Sequence, residues 1–274
     1  MRKALEYLVY SNIWISCGAF CFGGLFYVLN DLDFNLYLLS FLFCSTLLTY
    51  TYQRFEKLRS GARTSGPRMV WMKTNSKLVM AILVLSTIGS LFFAYFLSIQ
   101  VLIILVFLGL MSFFYAFKLK IGKGRSNLRD IPFIKIVLIG SVWAGSCYVL
   151  PFIESGSKDL SLLVPSLAFF FFIIGITIPF DIRDLDVDER SKKTIPQMAG
   201  ETLSKMIGAS LLLISAIIIL SNFPGKEIAL CLTYAISILA IMSTKKVRNE
   251  LFFSFGIDGL LILVPLGFYL LNSL

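Results

Sequence analysis

The sequence predicts an all-α protein that crosses a membrane many times, and three observations carry that reading. Of its 274 residues, 57% are hydrophobic and 15% are charged, against about 45–50% and about 25% in ordinary globular domains. The apolar residues are gathered into nine blocks that hold almost no charge. The lysines and arginines fall almost entirely into alternate connections between those blocks. Together these exclude a water-soluble enzyme, a disordered chain and a nucleic-acid-binding domain. Histidine is absent, so His-ligated zinc or haem, a Ser-His-Asp triad and a Cys-His dyad are excluded too.

A spanning helix needs about 20 mostly apolar residues to cross about 30 Å of hydrocarbon. The nine blocks lie near residues 9–29, 34–52, 78–97, 99–117, 134–153, 160–180, 206–221, 228–243 and 251–271, the seventh and eighth being short. Closed β-barrels are the other spanning structure, but they require period-two alternation, and runs such as Phe169–Ile174 do not alternate. The first block follows Arg2 and Lys3 as a signal peptide would. It is too long for a typical signal h-region and lacks a small-residue cleavage site, so it reads as a retained first helix. Cys17, Cys21, Cys44, Cys147 and Cys231 all sit inside apolar blocks without metal-ligand spacing, and read as small buried hydrophobes. The expectation is one all-α integral-membrane domain over residues 1–274, with nine transmembrane helices.

Charge fixes the orientation. With nine spans, 23 of the 25 Lys and Arg residues fall at the N-terminus and in the loops after spans two, four, six and eight. The opposite side holds only Lys158 and Lys226. Positive loops stay inside, so the N-terminus is expected in the cytoplasm, in a bacterial inner membrane. The net charge of +9 is then explained by topology and contact with anionic membrane lipid, with no nucleic acid. Cytoplasmic loops are also the long ones, and long loops tend to carry function.

The sharpest motif follows span six and runs Pro179-Phe180-Asp181-Ile182-Arg183-Asp184-Leu185-Asp186-Val187-Asp188-Glu189-Arg190. On a continuous helix Asp181, Asp184 and Asp188 share an arc of roughly 60°, with Asp186 on another face. Carboxylates stacked in this way repel one another, and a cation relieves the repulsion. Magnesium suits, because it takes one or two carboxylates and completes its shell with water and phosphate oxygens. The bland alternative is an acidic, solvated helix end.

The stretch Asp181-x-x-Asp184-x-x-x-Asp188, followed by Arg190, Lys192, Lys193, Thr194, Pro196 and Gly200, resembles the second aspartate-rich motif of the UbiA superfamily of intramembrane prenyltransferases. The nine expected helices and the long loops after spans two, four and six extend the resemblance over nearly the whole chain. It implies a helical bundle around a cavity open sideways to lipid. It also implies magnesium on Asp181, Asp184 and Asp188, and transfer of a prenyl group from a prenyl diphosphate to a lipophilic acceptor, aromatic acceptors among them. The segment Tyr115-Ala116-Phe117-Lys118-Leu119-Lys120 resembles the family's Tyr-and-Lys motif at a different separation. It implies diphosphate contact by Tyr115, Lys118 and Lys120, with Arg125 and Arg129 as further cations. Each of these cations has an equally plain reading as a contact with lipid headgroups.

The family's first aspartate-rich motif belongs at the end of span two. That position reads Thr49-Tyr50-Thr51-Tyr52-Gln53-Arg54-Phe55-Glu56-Lys57, without an aspartate. Three explanations stay open. One magnesium suffices, with Arg54, Lys57 and Gln53 in place of the second metal's charge; or the substrate lacks a diphosphate; or the protein is a non-catalytic binder of isoprenoid or lipid.

The polar groups inside spans mark the expected cavity. Lys135 opens span five, where it either snorkels outward or reaches inward. Asp258 lies about 10 Å into span nine at 1.5 Å per residue, so it should face the interior and find a partner or be protonated, with acceptor binding, proton removal or, most plainly, helix–helix hydrogen bonding as its role. Ser11 and Asn12 near the start of span one are similar, with structural hydrogen bonding the plainer role. The pairs Ala19/Gly23, Gly140/Ala144 and Ser141/Gly145 would let helices approach closely.

The charge split makes a direct prediction. Cysteine labelling or reporter fusions should place Arg63 and Arg125 in the cytoplasm and Ser157 outside; finding Arg63 and Ser157 on one side would sink the nine-span arrangement.

Overall fold

The computed structural model describes residues 2–59, 66–116, 120–121, 124–125, 133–186 and 193–271. The first expected span is a broken pair: α1 (Arg2–Tyr10) meets α2 (Ile13–Leu29) at 65°. The break falls at Ser11-Asn12, and Asn12 has the left-handed φ of 68° that asparagine tolerates better than most residues. Ser16 Oγ donates to the Asn12 carbonyl at 2.8 Å, and Asn12 Nδ2 donates to Thr51 Oγ1 at 3.0 Å. The bend is thereby tied to α3 (Leu36–Arg59).

A short α4 (Pro67–Thr74), with proline in its first turn, leads into α5 (Ser76–Ala94) and α6 (Ile99–Ala116). Proline suits that place because the first N–H groups of a helix have no intrahelical acceptor. The loop after α6 carries the only strands among the described residues, β1 (Lys120–Ile121) antiparallel to β2 (Gly124–Arg125), with Lys120 opposite Arg125. Then α7 (Ile134–Ala144) widens into a π-turn over Gly145–Val149 and continues as α8 (Leu150–Glu154). A 3₁₀ turn (Leu160–Leu163) precedes α9 (Ser166–Arg183).

The α10 segment (Ile195–Asn222) starts beside Thr194, whose N–H donates to Gln197 Oε1 at 3.0 Å. It is interrupted at Gly200, where φ is +77°, a backbone conformation glycine adopts without the Cβ penalty. Last come α11 (Glu227–Met242), a second π-turn over Phe252–Ile257, and α12 (Asp258–Leu271).

The helices pack in a ring. The main contacts are α9 with α10, α3 with α5, α2 with α12, α2 with α3, α7 with α9, α10 with α11 and α11 with α12. Buried Phe22, Phe26, Tyr148, Phe169 and Phe172 fill its centre, with Phe22 and Phe169 centroids 4.5 Å apart. The outward faces are as apolar as the core. Leu85, Ile88, Leu91 and Phe92 of α5 and Ile99, Ile103, Val106 and Phe107 of α6 are all exposed. A water-facing protein does not display such a belt, so the chain is an integral membrane protein. Each of the nine apolar blocks coincides with helix. By length and composition alone, however, five helical stretches among the described residues can cross a bilayer, or six with the α1–α2 pair. The helices at Ile99–Ser112 and Glu227–Met242 are shorter. The second half of α3 carries the polar run Thr49-Tyr50-Thr51-Tyr52-Gln53-Arg54, most of which lines the cavities described below.

Small residues set the closest approaches. A Cβ on Gly23 would stand 2.6 Å from Leu42 Cδ1, and one on Gly140 would stand 2.9 Å from Ile174 Cγ1. The tightest backbone contact joins α9 to α10, where a Cβ on Gly175 would stand 3.0 Å from the Gly208 carbonyl oxygen. A backbone oxygen moves only with its helix, so Gly175→Val should destabilise the protein by about 1–3 kcal/mol. Unfolding in detergent measures this, with exposed Gly256→Ala as the mild control.

Candidate functional site

At one end of the bundle, a cavity of about 190 Å³ is lined by Arg54, Arg68, Lys135, Arg183 and Asp258 among apolar groups. Four cations thus face one carboxylate. They arrive from five different elements. Arg54 comes from the last turns of α3, Arg68 from α4, Lys135 from the first turn of α7, Arg183 from the end of α9 and Asp258 from the start of α12.

Each cation is held by a distinct device. Lys135 Nζ donates to Asp181 Oδ1 at 2.5 Å. Arg183 grips Asp184 with both prongs, Nε to Oδ1 at 2.7 Å and Nη2 to Oδ2 at 3.0 Å, and lies over the rings of Phe180 and Phe253. Arg68 Nε stands 3.3 Å from Glu250 Oε1, and the guanidinium lies 5.5 Å above the Tyr10 ring. Burial pushes the Arg68 guanidinium down from its ordinary value, with Glu250 and Asp258 opposing. Arg54 lies 5.6 Å from the centroid of Tyr50, and its Nη1 is buried without a hydrogen-bond partner among the described residues. A buried guanidinium nitrogen without an acceptor is costly, and a bound anion would supply the acceptor.

Asp258 follows the second π-turn directly, and that turn also supplies Ser254 to the cavity wall. Trp14 Nε1 donates to the Phe255 carbonyl at 3.0 Å, tying the π-turn to α2. Such turns re-aim the residues that follow them and recur at functional sites. Asp258 lines the cavity and lies within electrostatic reach of Arg68, Arg54 and Arg183, so it faces the interior.

The second cavity is larger, about 510 Å³, and is lined by α3, α6 and α7 with the first π-turn. Its wall is mainly apolar, with Phe41, Leu42, Leu105 and Leu108, plus hydroxyls of Ser45, Thr46 and Thr49 and the amide of Gln53. Tyr50 and Trp143 line both cavities. A cationic pocket and an apolar chamber therefore share a wall, an arrangement suited to a molecule with an anionic head and a long apolar tail.

Several expectations meet this geometry. Arg54 and Lys135 reach the cationic pocket, Lys135 turning inward. Gln53 lies on the apolar side of the wall, and Lys57 is exposed. Asn12 is taken up by the α1–α2 bend instead of lining either cavity. The α9 helix ends at Arg183, and Asp184, its C-cap, still closes the helical bond from its N–H to the Phe180 carbonyl, so Asp181 and Asp184 keep their i,i+3 spacing while the continuous helix assumed for the three-aspartate face stops there. Pro179, which cannot donate to the preceding turn, lies just before this end. Asp181 is 3% exposed and Asp184 about a third exposed. Asp186 points elsewhere and pairs with Lys246 beyond α11.

Among the described residues no three carboxylate or thiol groups are gathered as a metal site. Asp188, Lys118 and Arg129 lie outside the described residues, as do the side chains of Tyr115 and Lys120. Arg68 and Arg183 were not singled out from the sequence. Arg183 was visible between two motif aspartates; Arg68 has no local signal beyond the positive-inside pattern.

No family model matches the chain, and the curated proteins contain no match. Solved structures do match across 98% of it. An apo UbiA homologue from Aeropyrum pernix K1 superposes with a TM-score of 0.65 at 13% identity, over 99% of that chain. A UbiA homologue from Archaeoglobus fulgidus, bound to GPP and Mg2+, gives 0.59 at 12% identity over 100% of its chain. A digeranylgeranylglyceryl phosphate synthase gives 0.56 at 18% identity over 98% of its chain. The fold is that of the UbiA homologues, as the resemblance in the sequence implies.

The ion pairs rank the motif aspartates by structural weight. Asp181→Asn removes the partner of a part-buried lysine, and breaking such a pair costs about 3–5 kcal/mol. Asp184→Asn loosens a more exposed pair and should cost about 1 kcal/mol or less. Thermal unfolding of the ligand-free protein in detergent checks the order; equal losses would overturn it.

Proposed function

We propose that this protein is a prenyltransferase of the UbiA type, moving a prenyl group from a prenyl diphosphate to a lipophilic acceptor within the membrane. The observation that carries this reading is the shared wall between a four-cation pocket and an apolar chamber. The fold supports it, since one of the similar structures is bound to GPP and Mg2+. In this arrangement all nine apolar blocks cross the membrane, the N-terminus is cytoplasmic, and the setting is a bacterial inner membrane.

The diphosphate lies among Arg54, Arg68, Lys135 and Arg183, and the prenyl chain extends past Tyr50 and Trp143 into the chamber. By the family resemblance, Tyr115 near the end of α6 and Lys118, Lys120 and Arg129 beyond it would add contacts to the diphosphate. The carboxylates at the end of α9 have the hard oxygen donors that suit one magnesium, which takes one or two carboxylates alongside phosphate oxygens. Asp181, Asp184 and Asp188 would hold it, and it would supply Lewis-acid charge to the departing diphosphate. Lys135 and Arg183, now paired with Asp181 and Asp184, then turn to phosphate oxygens. As the bond from the prenyl C1 to oxygen breaks, the bonding pair leaves with the diphosphate. The four cations stabilise that charge in a site away from bulk water. The Tyr50 and Trp143 rings face the positive charge that develops on the allylic carbon. The acceptor attacks C1 and releases a proton.

A non-catalytic isoprenoid binder is the second reading, favoured by the lack of aspartate at the end of α3. Pyrophosphate release by purified protein, with magnesium and a panel of donors and acceptors, separates the two. Arg54→Ala should lower turnover by about 10²–10³, the usual cost of one electrostatic group at a developing anion. It should leave binding of a prenyl alcohol nearly unchanged. Binding indifferent to both magnesium and the diphosphate would reject the enzyme.

A further inference from the structure

The end of α3 is where the UbiA resemblance calls for metal-binding aspartates, and here that place carries a cation. Arg54 occupies it, and Arg68 reaches the same pocket from α4. The two guanidinium groups repel each other, and Asp258 and Glu250 attract both. Aromatic rings brace them from outside, Tyr50 beneath Arg54 and Tyr10 beneath Arg68. Tyr7 and Tyr10 in turn pack edge-on against Trp71 of α4. This scaffold fixes two like charges at one pocket while Arg54 Nη1 lacks an acceptor. A site built only for stability would not hold cations that way, because a buried charge is tolerated when it is paired.

We propose that Arg54 and Arg68 form a metal-free diphosphate clamp that takes the place of a second magnesium. The inference rests on the prenyl diphosphate reading above and deepens it. Each guanidinium carries less charge than a magnesium ion, but its planar fork matches two phosphate oxygens at once and needs no dehydration of a metal. Asp258 is a positioning residue. It offsets the charge of the clamp when the pocket is empty and opposes the incoming anion electrostatically. Glu250 does the same for Arg68 from the pocket's edge. The consequence is a divided site, in which magnesium acts only at the end of α9 and the opposite side of the diphosphate is held without it.

The experiment uses the full chain in detergent or nanodiscs, with inorganic pyrophosphate, geranyl diphosphate and geraniol as probes, in EDTA and in magnesium. Pyrophosphate and geranyl diphosphate should bind in EDTA, with magnesium tightening them by no more than about tenfold. Arg54→Gln and Arg68→Gln should each weaken binding in EDTA at least tenfold, and Arg54→Lys should restore part of it. Asp258→Asn is the decisive variant. It should tighten pyrophosphate binding in EDTA several-fold, because an opposing charge is gone, and increase the thermal stabilisation that pyrophosphate confers. A purely architectural carboxylate would give weaker binding when removed. Diphosphate binding seen only with magnesium overturns the clamp and leaves the prenyl diphosphate reading standing. So does EDTA binding within twofold of the parent protein in both Arg54→Gln and Arg68→Gln. Diphosphates that bind no better than geraniol, with or without magnesium, reject both. Binding in EDTA without turnover for any donor and acceptor keeps the clamp and rejects the enzyme.

Discussion

Positive charge held against its own repulsion is the constraint on which the rest of this structure depends. Arg54, Arg68, Lys135 and Arg183 meet at one small cavity at the end of an apolar bundle. In bulk water two such charges at close range interact weakly, but in a partly desolvated pocket the repulsion is several times larger. The surrounding architecture answers it with carboxylates paired to Arg68, Lys135 and Arg183, and with aromatic faces beside Arg54, Arg68 and Arg183. What remains is directed inward, at the space a ligand would fill.

The irregular places in the helices supply this arrangement. A straight bundle would carry its polar side chains past one another. Here α9 stops just after Pro179, so Arg183 and Asp184 form a compact pair at the helix end. The π-turn over Phe252–Ile257 brings Asp258 into the pocket, and Trp14 satisfies a carbonyl of that turn. The Asn12 bend joins α1 to the flank of α3, which places Tyr10 under Arg68. Regular helix provides the scaffold, as at the Gly175–Gly208 contact. The departures from regularity provide the aim.

Much of this was legible in the sequence. Long apolar blocks and lopsided charge give helices in a membrane, because hydrocarbon leaves the backbone few other options. Lys135 and Asp258 were legible as interior residues, since a charge inside a span must find a partner. Arg54 stood out because it replaces expected acid. Other parts depended on geometry that spacing does not encode. The motif aspartates were read on a continuous helix, whereas α9 ends at Arg183 with Asp184 as its cap, and Asp181 and Asp184 are each taken up by a different cation. Asn12 was legible as a hydrogen-bonding group inside a span, but the bend it makes was not, because a left-handed asparagine leaves no periodic trace. Arg68 was one of seven cations in its loop. Its contact with Glu250 joins distant parts of the chain, and no local pattern records such a pairing.

That distance bears on how the protein is made. Ribosomes add about 5–20 residues per second, so Arg54 and Arg68 leave the exit tunnel about ten seconds or more before Glu250 and Asp258. During this interval the nascent chain presents its guanidinium groups at the membrane boundary with neither acid available. Insertion of the last helix then brings Asp258 and Glu250 to guanidinium groups made long before them, so the pocket can be completed only when synthesis is nearly over.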